Sequence, residues 1–279
     1  MLAEGVHSLA NCFDGGLLLF GERRARQPAD HIHPFGYGRE LYFWSFVVAV
    51  VFFTLGAGFT LYNGVDHVFH PEPLRDPTWN YVVLAAAAVF DGTSFLIGFK
   101  AFSRRAKGLS YSRAILDSKN PALFSTVLED TADVVGLACA FLGIYFAHRL
   151  GMPALDGVAS IAIGVLLAVL AVVLLVKTHR LLIGESASAA LIASIRQTAD
   201  RDPLVARIGE ILTVHTGPEE VVLLMRLGVQ LDLPGLEIAR QLSALEDTLR
   251  REHPELRRIF FDITDHSGRS AHVLGGTSR

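Results

Sequence analysis

The sequence predicts a helical membrane domain followed by a small water-soluble α+β domain. Up to about Thr178, apolar runs alternate with short polar gaps, whereas the chain beyond Gly184 has the composition of an ordinary soluble domain. Four of the runs reach the roughly 20 residues that a membrane-spanning helix needs. The loops between the runs alternate between rich and poor in Lys and Arg. At 279 residues, the chain is long enough for one or two domains.

Five apolar runs are predicted to span the membrane: residues 1–20, 41–65, 81–102, 122–147 and 155–176. The loops after the first and third runs are strongly basic, and Lys177 and Arg180 follow the fifth. Positive charge marks the cytoplasmic side of a membrane protein. The chain start is therefore predicted outside and the tail inside. Because Met1 leads straight into an apolar run, we interpret the sequence as lacking an N-terminal helix.

The tail is predicted to follow the order α-β-β-α-β, with helices near 186–202 and 233–254 and strands near 205–217, 219–233 and 256–266. The second helix is expected to place Leu236, Ala239, Leu242, Leu245 and Leu249 on one face. This order is typical of an open-faced α+β sandwich. The predicted boundaries are 1–182 for the membrane domain, 183–266 for the tail domain and 267–279 for a disordered end. The histidines His215, His253 and His266 lack convergent spacing and are expected in solvent-exposed loops.

Composition argues against several function classes. The net charge of −3 gives no reason to propose a nucleic-acid partner. The two cysteines, Cys12 and Cys139, form neither a disulfide framework nor a CxxC pair. The chain has no nucleophile elbow, phosphate loop or HExxH motif, so we do not expect an enzyme or a tightly bound cofactor.

Three carboxylates interrupt the fourth apolar run, "ALFSTVLEDTADVVGLACAFLGIYFA". Glu129 and Asp133 are four residues apart, so a helix places them on one face, with Asp130 about a quarter-turn away. A charged residue at the middle of a spanning helix costs roughly 2.5–3.5 kcal/mol on insertion scales. Such residues normally face a cavity or a partner, and often mark an ion path.

The first run carries a matching polar stripe formed by Glu4, His7, Asn11 and Asp14. His7 and Asn11 repeat the four-residue spacing of Glu129 and Asp133, and two helices with two ligands each could build a four-coordinate site. Imidazole and carboxylate ligands suit Zn²⁺, and Mn²⁺ or Fe²⁺ would accept the same set with more oxygen ligands. The alternative is that these groups only form hydrogen bonds between helices.

Other polar residues give weaker signals. Asp91, within the third run, suits an ion or proton path as well as a packing hydrogen bond, and Glu4 and Asp130 are further candidates for such a path. Asp156 is read as a helix N-cap. In the first loop, Asp30 and His33 are close enough in sequence to form a second metal site, although surface histidines are often merely solvated.

These residues resemble the cation diffusion facilitator family of metal/proton antiporters. The segments "AEGVHSLAN", "HPFGYGR", "LEDTADVVG" and "DGVASIAIG" follow the family's order over residues 1 to about 266. The resemblance implies a six-helix homodimer with a cytoplasmic ferredoxin-like domain. It also implies that His7, Asn11, Glu129 and Asp133 are the metal ligands, and that the first helix present here is the family's second.

The sequence departs from the family pattern at several positions. Asn11 replaces the usual acid and Glu129 the usual His or Asp, which is similar to the branch of mitochondrial and vesicular zinc transporters. Tyr37 stands where the loop often has a His. Arg240 and Asp262 replace histidines of the tail, so we expect no metal site there.

The predicted function is proton-coupled transport of a divalent cation, most favourably Zn²⁺ efflux, by alternating access. The predicted partners are metal ions, protons, membrane lipids and a second copy of the chain. The predicted location is a bacterial inner membrane. The alternative is a non-transporting scaffold or regulatory subunit that retains a vestigial metal site.

Overall fold

The chain divides into two compact units, Met1–Leu182 and Ile183–Arg279, which we describe separately. The computed structural model describes the backbone of residues 2–71, 77–106, 118–229 and 233–265, and the side chains of residues 13–71, 77–103, 118–229 and 233–264. The predicted disordered end, 267–279, lies outside the described residues.

Within the described ranges 2–71, 77–106 and 118–182, the first unit contains five long helices, one for each predicted run. They are α1 (Leu2–Ala25), α2 (Glu40–Phe69), α3 (Thr78–Ala106), α4 (Pro121–Leu150) and α5 (Ala154–Ile183). Each helix continues beyond the predicted C-terminal limit of its apolar run. The reason is that charged residues such as Arg23 and Arg180 are good helix formers, so the helix does not stop where the apolar residues do.

Three of the described helices are long and apolar enough to cross a membrane: Glu40–Phe69, Thr78–Ser103 and Ala154–Ile183. Large apolar side chains of α3, including Phe90 and Ile97, are more than 70% exposed. Such a surface is expected against lipid rather than water, because hydrocarbon solvates it. That α1 and α4 also span the membrane stays a prediction.

Helix α2 changes its hydrogen-bond pattern near its middle. It runs as an α-helix over Glu40–Val51, as a π-helix over Phe52–Gly58, and as an α-helix again over Phe59–Phe69. The hydroxyl of Thr60 donates to the Gly56 carbonyl at 2.7 Å and so satisfies an acceptor within the π segment. Short π segments inside helices are frequent at functional sites, and the sequence pattern did not indicate this one.

The first half of α2 packs against the end of α1. A Cβ added at Gly21 of α1 would lie 2.7 Å from the Trp44 Cβ, so only glycine allows this approach. Arg24 donates to Glu40 at 3.1 Å, and the Trp44 indole donates to the same carboxylate at 2.9 Å. The end of α1 is therefore held to the start of α2 by both packing and charge.

The second half of α2 packs instead against α5, through glycines on both helices. A Cβ added at Gly64 would lie 2.7 Å from the Ile161 nitrogen, and one added at Gly164 would lie 2.9 Å from the Leu61 nitrogen. Small residues let helix backbones approach closely, which is a main source of association between helices in membranes. The two helices therefore form a tightly packed pair.

The second unit has the predicted order of elements: α6 (Ala189–Asp200), β1 (Val205–Gly217), β2 (Glu220–Val229), α7 (Gly235–Glu252) and β3 (Leu256–Asp265). The sheet order is β1-β2-β3, with β1 antiparallel and β3 parallel to β2. Alternate residues of β2, from Val221 to Val229, are buried in one core with Ile195 of α6 and Leu245 and Leu249 of α7. The two helices thus cover one face of the sheet.

Two expectations about the tail are wrong. His215 and His253 are buried, at 6% and 7% exposure, because each packs beside an element end: His215 bonds the Gly217 carbonyl, and His253 contacts the Ser194 hydroxyl. Leu236, at 69% exposure, and Ala239 are both exposed, because they lie in the first turns of α7, outside the stripe that packs on the sheet.

The other face of the sheet carries a row of exposed apolar side chains. Leu212, Leu224 and Phe260 are direct neighbours across the three strands and are 40–50% exposed. The next row contains the Arg226–Asp262 ion pair, with 2.7 Å between Nε and Oδ2. We call these five residues the open face.

Prediction: Gly64→Ala should destabilise the first unit by about 1–3 kcal/mol, the usual cost of forcing extra atoms into a packed interface. The added methyl group would meet backbone atoms of α5, which cannot move aside as a flexible side chain can. Gly92→Ala on α3 is the matched control, because no atom lies within 4 Å of its added Cβ. Thermal unfolding of the purified protein in detergent measures both changes, and equal stability of the two variants would contradict the close α2–α5 packing.

Candidate functional site

Helix α4 is fixed at both ends, which sets where its carboxylates lie. The Asn120 side chain caps the start by accepting from the Leu123 N–H at 3.2 Å, and Pro121 occupies the first turn. Gly151 ends the helix with a φ of 64°, a left-handed conformation that glycine adopts without strain. Between these ends the three acids of α4 point to different surroundings.

Asp133 lines a cavity of about 220 Å³, whose other lining residues come from α2, α3, α4 and α5. Two further carboxylates, Asp91 of α3 and Asp156 of α5, line the same cavity. We call it the acidic cavity, and its polar lining residues are Thr60, Asn80, Asp91, Asp133, Asp156 and Ser160. The expectation that Asp156 caps a helix is wrong: α5 begins at Ala154, so Asp156 lies within the first turn and lines the cavity instead.

The acidic cavity runs along the helices toward one side of the membrane. Asp91 and Asp133 lie near the middle of α3 and α4, whereas Asn80 and Asp156 lie in the first turns of α3 and α5. Those first turns follow the loops that are poor in Lys and Arg, which mark the non-cytoplasmic side. The cavity therefore leads from mid-membrane toward the outside in the predicted orientation.

Asp130 lies against α3 rather than in the cavity. The Ser94 hydroxyl donates to its carboxylate, with 3.1 Å to Oδ1 and 3.3 Å to Oδ2. A Cβ added at Gly98, one turn along α3, would lie 3.1 Å from Oδ2. Glu129 is placed differently again: its Oε1 atom is buried, and the residue is not among those lining the acidic cavity.

The predicted ligands of α1 lie in a helix whose first side chains are not described. Glu4, His7 and Asn11 belong to α1 by backbone, and their side chains lie outside the described residues. Asp14, the fourth member of the stripe, is 2% exposed. Because α1 also packs against the π segment of α2, the polar part of α1 runs beside the middle of α2.

Helix register places these residues at a common depth. Counting equal steps along antiparallel α1 and α2 from the Gly21–Trp44 contact brings His7 level with Gly58. The same count from the Gly64–Ile161 contact brings Gly58 level with Leu167. A count along antiparallel α4 and α5 from the Gly143–Ala159 contact brings Leu167 level with Val135, two residues from Asp133. Whether the two predicted ligand pairs meet stays a prediction, but their depths agree.

The first loop holds Asp30 and His33 close together in a hydrogen-bonded turn. Asp30 Oδ1 accepts from the backbone N–H of His33 at 2.6 Å and of Ile32 at 2.9 Å, and Oδ2 accepts from the Tyr37 hydroxyl at 2.8 Å. The His33 N–H and the Tyr37 hydroxyl hold the pKa of Asp30 below its usual value, and the same bond raises the pKa of Tyr37. His33 Nδ1 lies 3.7 Å from Asp30 Oδ1.

Metal-binding geometry is limited in the part of the molecule with described side chains. There, no three His, Cys, Asp or Glu residues are grouped so that they could hold a metal ion. Asp30 and His33 form only a pair, so a second metal site in the loop stays a prediction. In the tail, Asp262 pairs with Arg226 and raises the pKa of that guanidinium, and Arg240 lies near Glu237 at 3.9 Å.

The sequence pattern did not identify Ser94 and Gly98 as contacts of Asp130, or Asp156 as a lining residue of the acidic cavity. The available signal was the spacing on α3: Asp91, Ser94 and Gly98 follow i, i+3, i+7 and so lie on one helix face. This small and polar face is the one that α3 presents to α4, as the Ser94–Asp130 contact shows.

A bundle of apolar helices around a carboxylate-lined cavity defines the class: a helical membrane protein with a polar path in its interior. The model of the cation efflux transmembrane domain matches residues 1–183. The chain belongs to this cation efflux family, the cation diffusion facilitators, which are transporters and not enzymes, as the sequence predicted.

Curated relatives extend the match beyond the membrane unit. The human mitochondrial proton-coupled zinc antiporter SLC30A9 is 29% identical over 249 residues, covering 88% of this chain and 43% of that protein. Metal tolerance protein C4 of Arabidopsis thaliana is 27% identical over 260 residues, covering 92% of this chain and 56% of that protein. Magnetosome protein MamM of Paramagnetospirillum magneticum is 27% identical over 220 residues, covering 78% and 65%. The chain thus spans about half the length of the first two.

Prediction: Tyr37→Phe should raise the pKa of Asp30 toward its ordinary value of about 3.9, because one of the two strongest hydrogen bonds to the carboxylate is lost. In the unchanged protein, the lowered pKa of Asp30 stabilises the folded loop at pH values above the pKa that Asp30 has in the unfolded chain. This stabilisation is lost as the pH falls through the lower pKa that Asp30 has in the folded state. A ¹³C carboxyl titration of aspartate-labelled protein in detergent measures the change. Tyr62→Phe, at an exposed position of α2, is the control, and an unshifted Asp30 midpoint in Tyr37→Phe would contradict the Tyr37–Asp30 hydrogen bond.

Proposed function

We propose that this chain transports a divalent metal cation, most favourably Zn²⁺, out of the cytoplasm in exchange for protons. The observation that carries the proposal is the acidic cavity, in which Asp133 of α4 lies with Asp91 and Asp156 inside an apolar bundle. Membership of the cation efflux family and the zinc antiporter named among the relatives support the same cargo.

The proposed binding site combines His7 and Asn11 of α1 with Glu129 and Asp133 of α4. One imidazole nitrogen and carboxylate oxygens form a set that Zn²⁺ accepts in four-coordinate geometry. Mn²⁺ and Fe²⁺ remain alternative cargoes, since they bind similar sets when more oxygen ligands or water join. Support comes from the common depth of His7 and Asp133 in the bundle.

The acidic cavity is proposed as the release route. A cation leaving Asp133 would pass Asp91 at the same depth and reach Asp156 at the outer end of α5. Carboxylates along a path of low dielectric constant lower the cost of a bare or partly hydrated cation, which is why they mark ion pathways in membrane proteins.

Proton coupling follows from the chemistry of these ligands. Metal binding requires a neutral imidazole and ionised carboxylates, so binding releases protons, and protons arriving from outside displace the metal. Histidine suits this exchange because its unperturbed pKa of about 6.5 lies within the physiological range. Glu4, Asp91 and Asp130 are the further residues proposed for the proton path.

Alternating access needs parts of the bundle that can move against each other. The first half of α2 is tied to α1 through Glu40 and Trp44, whereas its second half is packed on α5 through Gly64. The π segment Phe52–Gly58 lies between these two attachments. We propose it as the place where the α1 side of the bundle moves relative to the α5 side.

We also propose that the chain works as a homodimer and that the open face of the tail sheet contributes to the contact. An exposed apolar row beside an ion pair suits a two-fold contact, because Arg226 of each copy can approach the other copy's Asp262. The host membrane stays a prediction, a bacterial inner membrane, since the relatives include a mitochondrial protein as well as bacterial ones.

Prediction: Asp133→Asn should lower the initial rate of Zn²⁺ uptake by more than about tenfold. Changes in the groups that orient metal ligands typically lower metal affinity or activity about 10- to 100-fold. Losing the charge of a direct ligand should lower the rate at least as much. The assay uses the full chain in liposomes with an acidic lumen. Uptake is evaluated for the vesicles in which the tail domain faces the outside solution. Asp66→Asn is the control, because Asp66 is an exposed carboxylate that bonds His70 at the end of α2.

Two outcomes of this assay would contradict the proposal. If Asp133→Asn transports Zn²⁺ as well as the unchanged protein, the site assignment is wrong. If the unchanged, folded protein carries no Zn²⁺, Mn²⁺ or Fe²⁺ flux and does not respond to the pH gradient, the non-transporting scaffold or regulatory subunit becomes the better interpretation.

Prediction: Leu224→Glu should shift the purified protein from dimer to monomer, because a charge would be placed at the centre of the open face. Leu236→Glu is the control, as Leu236 is more exposed but lies on α7, away from the sheet's open face. Light scattering coupled to size-exclusion chromatography gives the mass, and an unchanged mass for Leu224→Glu would exclude this face from the dimer contact.

A further inference from the structure

The third acid of α4 has a binding niche of its own on the neighbouring helix. Ser94 donates its hydroxyl to both oxygens of the Asp130 carboxylate, at 3.1 and 3.3 Å. Gly98, one turn further along α3, leaves the space that the carboxylate occupies, since an added Cβ would lie 3.1 Å from Oδ2. We call Ser94 and Gly98 the α3 niche.

From this geometry we propose that Ser94 and Gly98 are positioning residues: by holding Asp130, they fix the rotation of α4 about its axis and thereby aim Glu129 and Asp133. The proposal rests on the transport function proposed above, because it concerns the orientation of that site's ligands. It adds two residues of α3 that do not themselves contact the metal.

The angular arrangement on α4 is what gives the niche its effect. Successive residues of an α-helix are separated by about 100° around the axis. Glu129 therefore lies about 100° from Asp130, and Asp133 about 60° from it in the same direction. Fixing Asp130 against α3 consequently fixes both proposed ligands on one adjoining side of α4.

Metal–ligand distances limit how far α4 can rotate about its axis. A side-chain atom about 5 Å from the helix axis moves by about 2 Å when the helix rotates by about 20°. Metal–ligand distances tolerate deviations of only about 0.2 Å. A small rotation of α4 would therefore move the carboxylates of Glu129 and Asp133 out of binding geometry.

Elsewhere the α3–α4 interface includes apolar contacts, which lack the directionality of a hydrogen bond. A Cβ added at Gly98 would lie 4.0 Å from the Val127 Cγ2 atom of α4. Toward the outer end, the rings of Tyr81 and Phe141 meet at a centroid distance of 5.8 Å, a contact that permits sliding. The Ser94–Asp130 hydrogen bond is directional, and it lies one helical turn from the level of Asp91 and Asp133.

The test compares Ser94→Ala, Ser94→Thr and Gly98→Ala in the full chain. Ser94→Ala removes the donor, Ser94→Thr keeps a hydroxyl, and Gly98→Ala pushes on the carboxylate from the other side. Thr93→Ala is the matched control, because the neighbouring Thr93 hydroxyl donates to the Phe90 carbonyl of its own helix at 2.8 Å. Each variant is first checked for thermal stability and monodispersity in detergent.

Two readouts follow for the folded variants: Zn²⁺ affinity by calorimetry, and the visible absorption spectrum of bound Co²⁺, which reports ligand geometry. Ser94→Ala and Gly98→Ala should bind Zn²⁺ about tenfold or more weakly, as for other groups that orient metal ligands, and should change the Co²⁺ spectrum. Ser94→Thr should restore both, and Thr93→Ala should match the unchanged protein.

The outcomes separate this proposal from the transport proposal. Unchanged affinity and spectrum in folded Ser94→Ala and Gly98→Ala would overturn the positioning role, whether or not the protein transports metal. Weaker affinity with an unchanged Co²⁺ spectrum, or no rescue by Ser94→Thr, would also overturn it, since a merely structural effect explains both. If the unchanged protein binds no metal, both proposals fail. If it binds metal without flux, only transport fails.

Discussion

The cost of placing carboxylates in hydrocarbon governs the arrangement of the membrane unit. Each charge near the middle of a span costs roughly 2.5–3.5 kcal/mol unless the protein provides a polar environment. Helix α4 carries three acids within five residues, and they meet three environments: Asp133 the acidic cavity, Asp130 the α3 niche, and Glu129 a buried position. The packing of the neighbouring helices follows from the need to provide these environments.

The glycines explain how the bundle can be rigid in one place and polar in another. The α2–α5 pair is packed so closely that a methyl group at Gly64 or Gly164 would collide with backbone. Such a pair needs no polar groups for its association, because van der Waals contact is sufficient. On the α3–α4 side, the Ser94–Asp130 hydrogen bond joins the helices in addition to packing.

The helices and the tail fold could be predicted because their signals are local. Long apolar runs gave the five helices, and alternating apolar residues gave the strands of the α-β-β-α-β tail. The position of Asp133 in a polar cavity was also predictable, since an acid in an apolar run must have a polar environment. The position of Asp156 in the same cavity was not predictable, because an acid at the start of a helix fits a cap equally well until the neighbouring helices are placed. The π segment and the burial of His215 and His253 likewise depend on contacts distant in sequence.

The exposed apolar side chains of α3 restrict where its polar residues can lie. With Phe90 and Ile97 directed outward, the described contacts of α3 with the acids of α4 fall on another side of the helix, where Asp91, Ser94 and Gly98 follow i, i+3 and i+7. That face therefore serves two purposes at neighbouring levels. It adds a carboxylate to the cavity at Asp91 and, one turn further along α3, orients the helix that carries Asp133. The lining of the acidic cavity and the proposed orientation of α4 thereby depend on the same few residues, so a change that loosens the α3–α4 contact is expected to disturb both together.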